Sequence, residues 1–324
     1  MNPSLALRLC LTLVFSLVTL LVHAQGYPQR ALKLIVPFAA GGTTDALGRT
    51  LSSYLGERLG QAVVVENRSG GGGSIGAEAG ARSAPDGYTL LLGSVESYGM
   101  TNADVKRLNY NPEKDLVAVA MVSRAPNVLI VHPSVRANTL QELVEFARAN
   151  PGKIRYGTPG IGTNVHVIVE MLKHRTEIDL VHVPYKGGGA AINDLISGQI
   201  EMLATSVVTS TGHVKSGKAR ALALTGGSRA SSLPDVPTMA EAGYDGFVLG
   251  ALFGVFVPAG TPGEPIARLT QELLAVKKNP EFLKRLDAIG QQIAENLVGD
   301  AFGRFMAAEA RRWREMAAIA GMKD

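Results

Sequence analysis

The chain has 324 residues, a formal net charge of +4 (32 Lys and Arg against 28 Asp and Glu), 6% aromatic residues and one cysteine. Weak, scattered basicity and few aromatic side chains exclude a stacking platform for nucleic acid, and a single cysteine excludes a disulfide framework. A chain of this length exceeds what one core usually serves, so two domains are expected.

At the N-terminus, Arg8 leads into an unbroken apolar run over 9–22, followed by Val22-His23-Ala24 before Gln25. The run is shorter than the roughly 20 residues of a membrane-spanning helix, has no polar face and ends in small or permissive residues, which reads as a secretory signal (1–24) cleaved near Ala24-Gln25. Cys10 lies inside it, so the exported chain carries no cysteine, and loss of Arg8 lowers its net charge from +4 to +3.

Strands and helices then alternate. A strand over 32–36 precedes a helix over 44–59 with Leu47, Leu51, Leu55 and Leu59 on one stripe. A strand over 62–66, a small-residue helix over 74–83 and strands over 88–92, 116–122 and 127–131 follow. Next come helix 139–149, strand 154–157, helix 163–174, strand 180–183, helix 190–197, strand 200–204, helix 209–217 and strand 219–225. A strand over 247–257 and helices over 262–278, 280–289 and 299–320 close the chain. In the last helix Phe302, Phe305, Met306 and Trp313 make the apolar stripe and Arg311, Arg312 and Arg314 a solvated face. Apolar strands flanked by helices indicate α/β domains with parallel sheets.

Three strand-to-helix turns share one chemistry. Val36-Pro37-Phe38-Ala39-Ala40-Gly41-Gly42-Thr43-Thr44-Asp45 leaves a strand through proline and two glycines and starts a helix. Tyr156-Gly157-Thr158-Pro159-Gly160-Ile161-Gly162-Thr163-Asn164 and Val183-Pro184-Tyr185-Lys186-Gly187-Gly188-Gly189 do the same. A helix N-terminus has N–H groups without intrahelical partners and a partial positive charge, glycine permits close approach, and threonine hydroxyls add donors. Such turns at strand ends are seats for a small anion.

Other motifs compete. Gly72-Gly73-Ser74-Ile75-Gly76 matches the G-x-S-x-G nucleophile elbow, which makes a secreted serine hydrolase using Ser74 the alternative reading. Six residues between the strand and Gly73 leave no room for a sharp elbow. Gly71, Gly73 and Gly76, with Glu96 twenty residues beyond Gly76, mimic a dinucleotide fingerprint with the same gap after the strand. His166, Glu170 and His174 lie at i, i+4 and i+8 of one helix, but three ligands so spaced span about 12 Å, too far for one ion.

Taken in order, the short motifs resemble the solute-binding receptors of the tripartite tricarboxylate transporter type, the Bug receptors, over essentially the whole exported chain. They are Tyr27-Pro28, the 37–45 turn, Val65-Glu66-Asn67-Arg68 with its glycine run, and Pro85-Asp86-Gly87-Tyr88-Thr89-Leu90. The 157–166 segment, Pro184-Tyr185-Lys186-Gly187-Gly188, Ser216-Gly217-Lys218, Arg220-Ala221-Leu222-Ala223, Pro237-Thr238, Glu241-Ala242-Gly243 and Pro258-Ala259-Gly260-Thr261-Pro262 continue the series. The resemblance implies a two-lobed α/β fold of the periplasmic-binding-protein class, type II-like, with two parallel-sheet domains joined by two crossings. With crossings near 123–126 and 225–231, domain 1 is 25–123 plus 232–324 and domain 2 is 124–231.

It also implies a periplasmic protein that binds a small organic carboxylate or amino acid without chemistry, as a monomer. The loaded form would serve a membrane transporter or a sensor kinase. No cofactor, metal or nucleic acid is implied. One carboxylate would sit between Phe38, Ala40, Gly42, Thr43, Thr44 and Asp45 of the first turn and Thr158, Gly160, Gly162 and Thr163 of the second, with the hydroxyls of Thr43, Thr158 and Thr163 as added donors. Ser94, Glu96, Lys186 and Ser206 complete the candidate set. Where relatives run through small polar residues after the 90–94 strand, this chain has Val95-Glu96-Ser97-Tyr98. Glu96 facing the cleft would repel a second carboxylate or recruit a cationic group. Ala204-Thr205-Ser206-Val207 stands where some relatives carry an Asp that pairs a ligand amine.

Overall fold

The computed structural model describes residues 26–99, 108–158, 160–161, 163–185 and 188–319. The expected signal segment, Gly162, Lys186 and the Glu96 side chain lie outside the described residues.

In chain order the elements are β1 (Leu32–Val36), α1 (Thr43–Leu59), β2 (Val63–Asn67), α2 (Ser74–Ala81), β3 (Thr89–Ser94), α3 (Pro112–Asp115) and β4 (Leu116–Val131). Then come α4 (Leu140–Ala149), β5 (Ile154–Thr158), α5 (Asn164–Thr176), β6 (Leu180–Pro184), α6 (Gly188–Ile196), β7 (Met202–Ser206), α7 (Val207–Lys215) and β8 (Arg220–Leu224). The chain closes with β9 (Gly250–Pro258), α8 (Gly263–Val276), α9 (Pro280–Ala288), β10 (Gln292–Ile293) and α10 (Gly299–Ile319).

The strands follow the order β2-β1-β3-β9-β4-β7-β5-β6, with β8 and β10 also pairing β4. Each lobe has a parallel set: β2, β1 and β3 in one, β6, β5 and β7 in the other. These are the parallel sheets expected, and they meet at an antiparallel seam, where β9 runs antiparallel to β3 and β4, and β4 runs antiparallel to β7 and β8. An apolar run reports that a strand is buried but not its direction.

β4 is one 16-residue strand where the sequence predicts two. It passes through Pro126 and shifts register against β9 near Ala118 and again near Met121. Such bulges let one strand bend between lobes at the cost of disrupted ladder bonds. Lys277, buried at the end of α8, repairs one: its ammonium donates to the carbonyls of Met121 (3.0 Å) and Glu295 (2.8 Å). Burial pushes its pKa down to about 8, with Glu295 opposing. Beside β4, Asn127 N–H donates to Thr225 Oγ1 (2.9 Å), Thr225 N–H to the Asn127 carbonyl (2.9 Å) and Leu249 N–H to the Thr225 carbonyl (2.9 Å). Both segments expected to carry crossings are thus tied at Thr225.

Three apolar clusters hold the layers. Leu34, Val36, Leu90, Leu92 and Val255 pack under Leu47, Leu51 and Leu55 of α1 and Leu269 and Phe282 of α8 and α9. Val128, Ile130 and Leu203 pack under Ile192 and Leu195 of α6. The largest cluster joins the lobes: it runs from Leu91, Met121 and Phe256 through Phe302, Met306 and Trp313 of α10 to Leu129, Tyr156, Ile168 and Leu172. Each such side chain contributes about 1.5–3 kcal/mol on burial. The expected solvated arginine face of α10 is corrected at Arg314, which donates to the carbonyls of Tyr98 (3.3 Å) and Gly99 (2.9 Å).

Candidate functional site

β1 ends at a buried Pro37, after which residues 39–42 are exposed. Gly41 has φ +84°, a conformation that glycine adopts without steric cost. Gly42 occupies the N-cap of α1 and supplies no side-chain cap, so the first N–H groups of the helix have no side-chain acceptor there. The Thr43 hydroxyl, half-buried, has no partner among the described residues.

Asp45 is only 4% exposed. Its Oδ2 accepts from Gly41 N–H (2.9 Å) and Arg49 Nε (3.0 Å), and its Oδ1 from Asn67 Nδ2 (2.9 Å). Asn67 Nδ2 also donates to the Phe38 carbonyl (3.0 Å). Burial pushes the Asp45 carboxyl up, but hydrogen bonds from Arg49, Gly41 and Asn67 and the Arg49 charge outweigh it and hold the pKa below the usual range. Both oxygens serve the loop, so Asp45 shapes the turn.

Ser94 lies beneath this helix start. Leu90 and Leu92 pack with Leu47 and Leu51 of α1, and strand alternation puts Ser94 on the same face, at the end where α1 begins. Gly48 allows the close approach, since a Cβ there would lie 2.6 Å from Val36 Cγ2. Ser94 is fully buried, and its Oγ has no hydrogen-bond partner among the described residues.

The second turn, from β5 to α5, is tied differently. Thr158 is fully buried, with Oγ1 2.7 Å from His182 Nε2 and 3.1 Å from the Gly160 carbonyl. Gly160 N–H donates back to Thr158 Oγ1 (3.3 Å), and Thr163 Oγ1 donates to the Gly160 carbonyl (2.8 Å). The hydroxyls of Thr158 and Thr163, expected as donors to a ligand, bond within the loop here. Ile161 at its tip is 75% exposed.

Behind Thr158 stands a ring stack. His182 lies 4.0 Å from His166 and 4.8 Å from Tyr156, centroid to centroid, with near-parallel planes. Tyr156 OH donates to Glu170 Oε1, which Lys173 Nζ also reaches at 2.8 Å. Burial, then His182 and Lys173, push the His166 pKa down to about 4 against the opposing Glu170 charge. Burial likewise lowers His182, with Lys173 helping and Glu170 opposing. His166 and Glu170 therefore belong to a hydrogen-bonded stack in which Glu170 already holds a hydroxyl and an ammonium. Ser206 caps α7, its Oγ accepting from Thr209 N–H (3.3 Å), so it too is committed locally.

Ser74 is no nucleophile elbow. It starts α2 in ordinary helical conformation, φ −64° and ψ −35°, without the strain an elbow needs. Its glycines serve packing: a Cβ at Gly76 would lie 2.6 Å from the Arg68 carbonyl and Pro37 Cα. Among the described residues the histidines lie on β6, α5 and α7 or just after β4, none on the elements around Ser74. Sequence reasoning assigned no role to Asn67, Arg49 or His182; the signals were an amide closing β2 and a histidine alternating with the apolar residues of β6.

Among the described residues no helix is long and apolar enough to cross a membrane. The profile described as tripartite tricarboxylate transporter family receptor matches residues 47–322. Protein BugT of Bordetella pertussis is 35% identical over 305 residues, covering 93% of each chain. The solved structure of R. palustris Rpa4515 with adipate superposes with a TM-score of 0.78 at 32% identity, covering 91% of this chain and 98% of that one. MatC from Rhodopseudomonas palustris with bound malate gives 0.74 at 29% identity, covering 90% and 99%.

Proposed function

The chain belongs to the tripartite tricarboxylate transporter family of receptors, and from that premise we propose that it is an exported solute-binding protein. It captures one small carboxylate-bearing metabolite between its lobes and performs no chemistry on it. The lobes are residues 25–123 with 232–324, and 124–231, closing over the ligand as hinged domains do.

The observation that carries this reading is the start of α1: a helix N-terminus without a side-chain cap, with a Thr43 hydroxyl and a buried Ser94 Oγ beneath it that have no hydrogen-bond partner among the described residues. The start of α5 supplies a second set of backbone donors. Hydrogen bonds to a charged acceptor contribute about 1.5–3 kcal/mol each, and three or four yield micromolar affinity after the cost of association. The adipate and malate held by two structural relatives support a carboxylate as the ligand class. Delivery of the loaded monomer to a membrane transporter or a sensor kinase in the periplasm accords with the family. Glu96 and Lys186 are proposed to face the ligand's other end.

A thermal-shift and calorimetric screen of mono-, di- and tricarboxylates and amino acids tests the reading. A true ligand at a hundredfold excess over its Kd should stabilise the protein by about 2.7 kcal/mol. Absence of stabilisation by every carboxylate would overturn it.

A further inference from the structure

We propose that Asn127, on the strand shared by both lobes, is a ligand-contacting and specificity-determining residue whose side-chain amide donates to the distal oxygen of the bound acid. The inference rests on the carboxylate reading above and extends it from the anchored end of the ligand to its far end.

Asn127 is 5% exposed, and its Nδ2 has no hydrogen-bond partner among the described residues. Its backbone is fully engaged, with N–H and carbonyl both paired to Thr225. The side chain is therefore the unsatisfied part. Buried donors without partners are rare in folded proteins, and each calls for an explanation. Ser52 Oγ, Arg268 Nε, Gln291 Nε2 and Trp313 Nε1 are also unpartnered among the described residues, but Ser52, Arg268 and Trp313 lie on α1, α8 and α10, and Gln291 is held by Ser123 Oγ through its Oε1.

Register places Asn127 at the site. It pairs with Ser206 of β7, as Leu129 pairs with Ala204 and Val131 with Met202. Leu129, Ala204 and Met202 share a cluster with Tyr156, with Ile168 and Leu172 of α5 and with Met306 and Trp313 of α10, so alternation puts Asn127 on the sheet face that these two helices cover. β4 runs antiparallel to β7, and β7 parallel to β5, so Asn127 stands at the end where β5 stops and α5 begins. It is two strands from β5, about 10 Å across the sheet. An acid anchored at the helix starts can thus extend its far end toward Asn127.

The chemistry of the group narrows the class. A carboxamide nitrogen donates and carries no charge, so it suits an oxygen acceptor such as a second carboxylate, an amide carbonyl or a hydroxyl, and offers nothing to an amine. A site built around such a donor discriminates against a ligand that leaves it unpaired. Short half-amides fit best, and dicarboxylates fit where Lys186, proposed to face the same end, offsets the charge of Glu96; both are preferred to monoacids of the same length.

The test measures affinities of succinate, malate and adipate, the half-amide of adipate, and the monoacids butyrate and hexanoate, on wild type, Asn127→Leu and Asn127→Ser. Wild type should favour a diacid and the half-amide over the equal-length monoacid by about tenfold or more. Asn127→Leu, which keeps the shape and removes the donor, should collapse that ratio to within about threefold while the monoacid Kd stays put. Asn127→Ser should restore part of it. Because Nδ2 has no partner to lose among the described residues, the ligand-free melting temperature of Asn127→Leu should not fall. An unchanged diacid-to-monoacid ratio in Asn127→Leu would overturn the proposal, as would a lowered melting temperature with all affinities falling together. Failure of wild type to bind any of the acids would instead bring down the carboxylate reading itself, and this inference with it.

Discussion

The two turns that start α1 and α5 do the same job with opposite electrostatics. At α1 an ionised carboxylate, Asp45, gathers Gly41, Arg49 and Asn67. At α5 neutral groups do the tying: two threonine hydroxyls, the Gly160 peptide and an imidazole that burial keeps uncharged. Both start a helix at the end of a strand, yet they fail under different stresses. The α1 turn depends on one anion whose loss strands several donors. The α5 turn depends on two imidazoles remaining neutral.

The largest break should come from Asp45→Ala. Three hydrogen-bond donors lose a buried acceptor, and donors left unpaired cost more than the bonds themselves contribute. Denaturant unfolding should show a loss of about 3–4 kcal/mol, with carboxylate binding abolished. Asp45→Asn, keeping the shape but facing a donor with an N–H group, should lose about half as much. The α5 turn, sharing no group with Asp45, should keep its amide-exchange protection.

Acid should produce the reverse order. The His166 pKa is lowered in the fold to about 4 from 6.5, so between those values the unfolded chain binds more protons than the folded one. Stability is then complete above pH 6.5 and declines as pH falls toward 4, by on the order of 2 kcal/mol from this group. Asp45, held below the usual carboxylate range, keeps its contribution through that window and loses it only at lower pH, as the folded carboxyl protonates. Amide exchange at pH 5 should therefore open the α5 turn before the α1 turn. His166→Phe, which preserves the stack and removes one of its two proton sites, should make the decline over this window shallower, leaving the share of His182. An equal loss of protection in both turns would contradict the assignment.

Why one turn was easier to read than the other follows from register. The leucine stripe of α1 and the glycines and threonines of its turn are local patterns, visible over 37–59. The pin that holds the turn is not local: Asn67 reaches Phe38 and Asp45 because β1 and β2 pair with Val36 opposite Asn67. Likewise His182 meets Tyr156 because β5 and β6 pair them directly. Strand register is a product of packing across the sheet, and an isolated strand pattern does not carry it. The same limit hid the continuity of β4, where Ser123-Arg124-Ala125-Pro126 looks like a break until bulges and Lys277 are seen to carry the strand through. Hydroxyl roles were hidden for a related reason, because a threonine at a helix start serves a ligand or its own loop with equal local cost.

That last distinction gives the smallest expected effect and the sharpest comparison of the two turns. Thr43 is the first residue of α1 and Thr163 the N-cap of α5, and sequence alone treats their hydroxyls alike. In the fold, Thr163 Oγ1 donates to the Gly160 carbonyl, whereas the Thr43 hydroxyl has no partner among the described residues. A hydroxyl has one proton to donate, and Thr163 has already placed it. Thr163→Val should therefore cost less than about 1 kcal/mol of stability and leave carboxylate Kd within about threefold. Thr43→Val should do the opposite, leaving unfolding unchanged while weakening the carboxylate by about tenfold. Calorimetric titration of both variants with the best acid from the screen decides between them. Equal losses of affinity would mean that the α5 loop rearranges on binding to free the Thr163 hydroxyl, and that the two turns become alike only around the ligand.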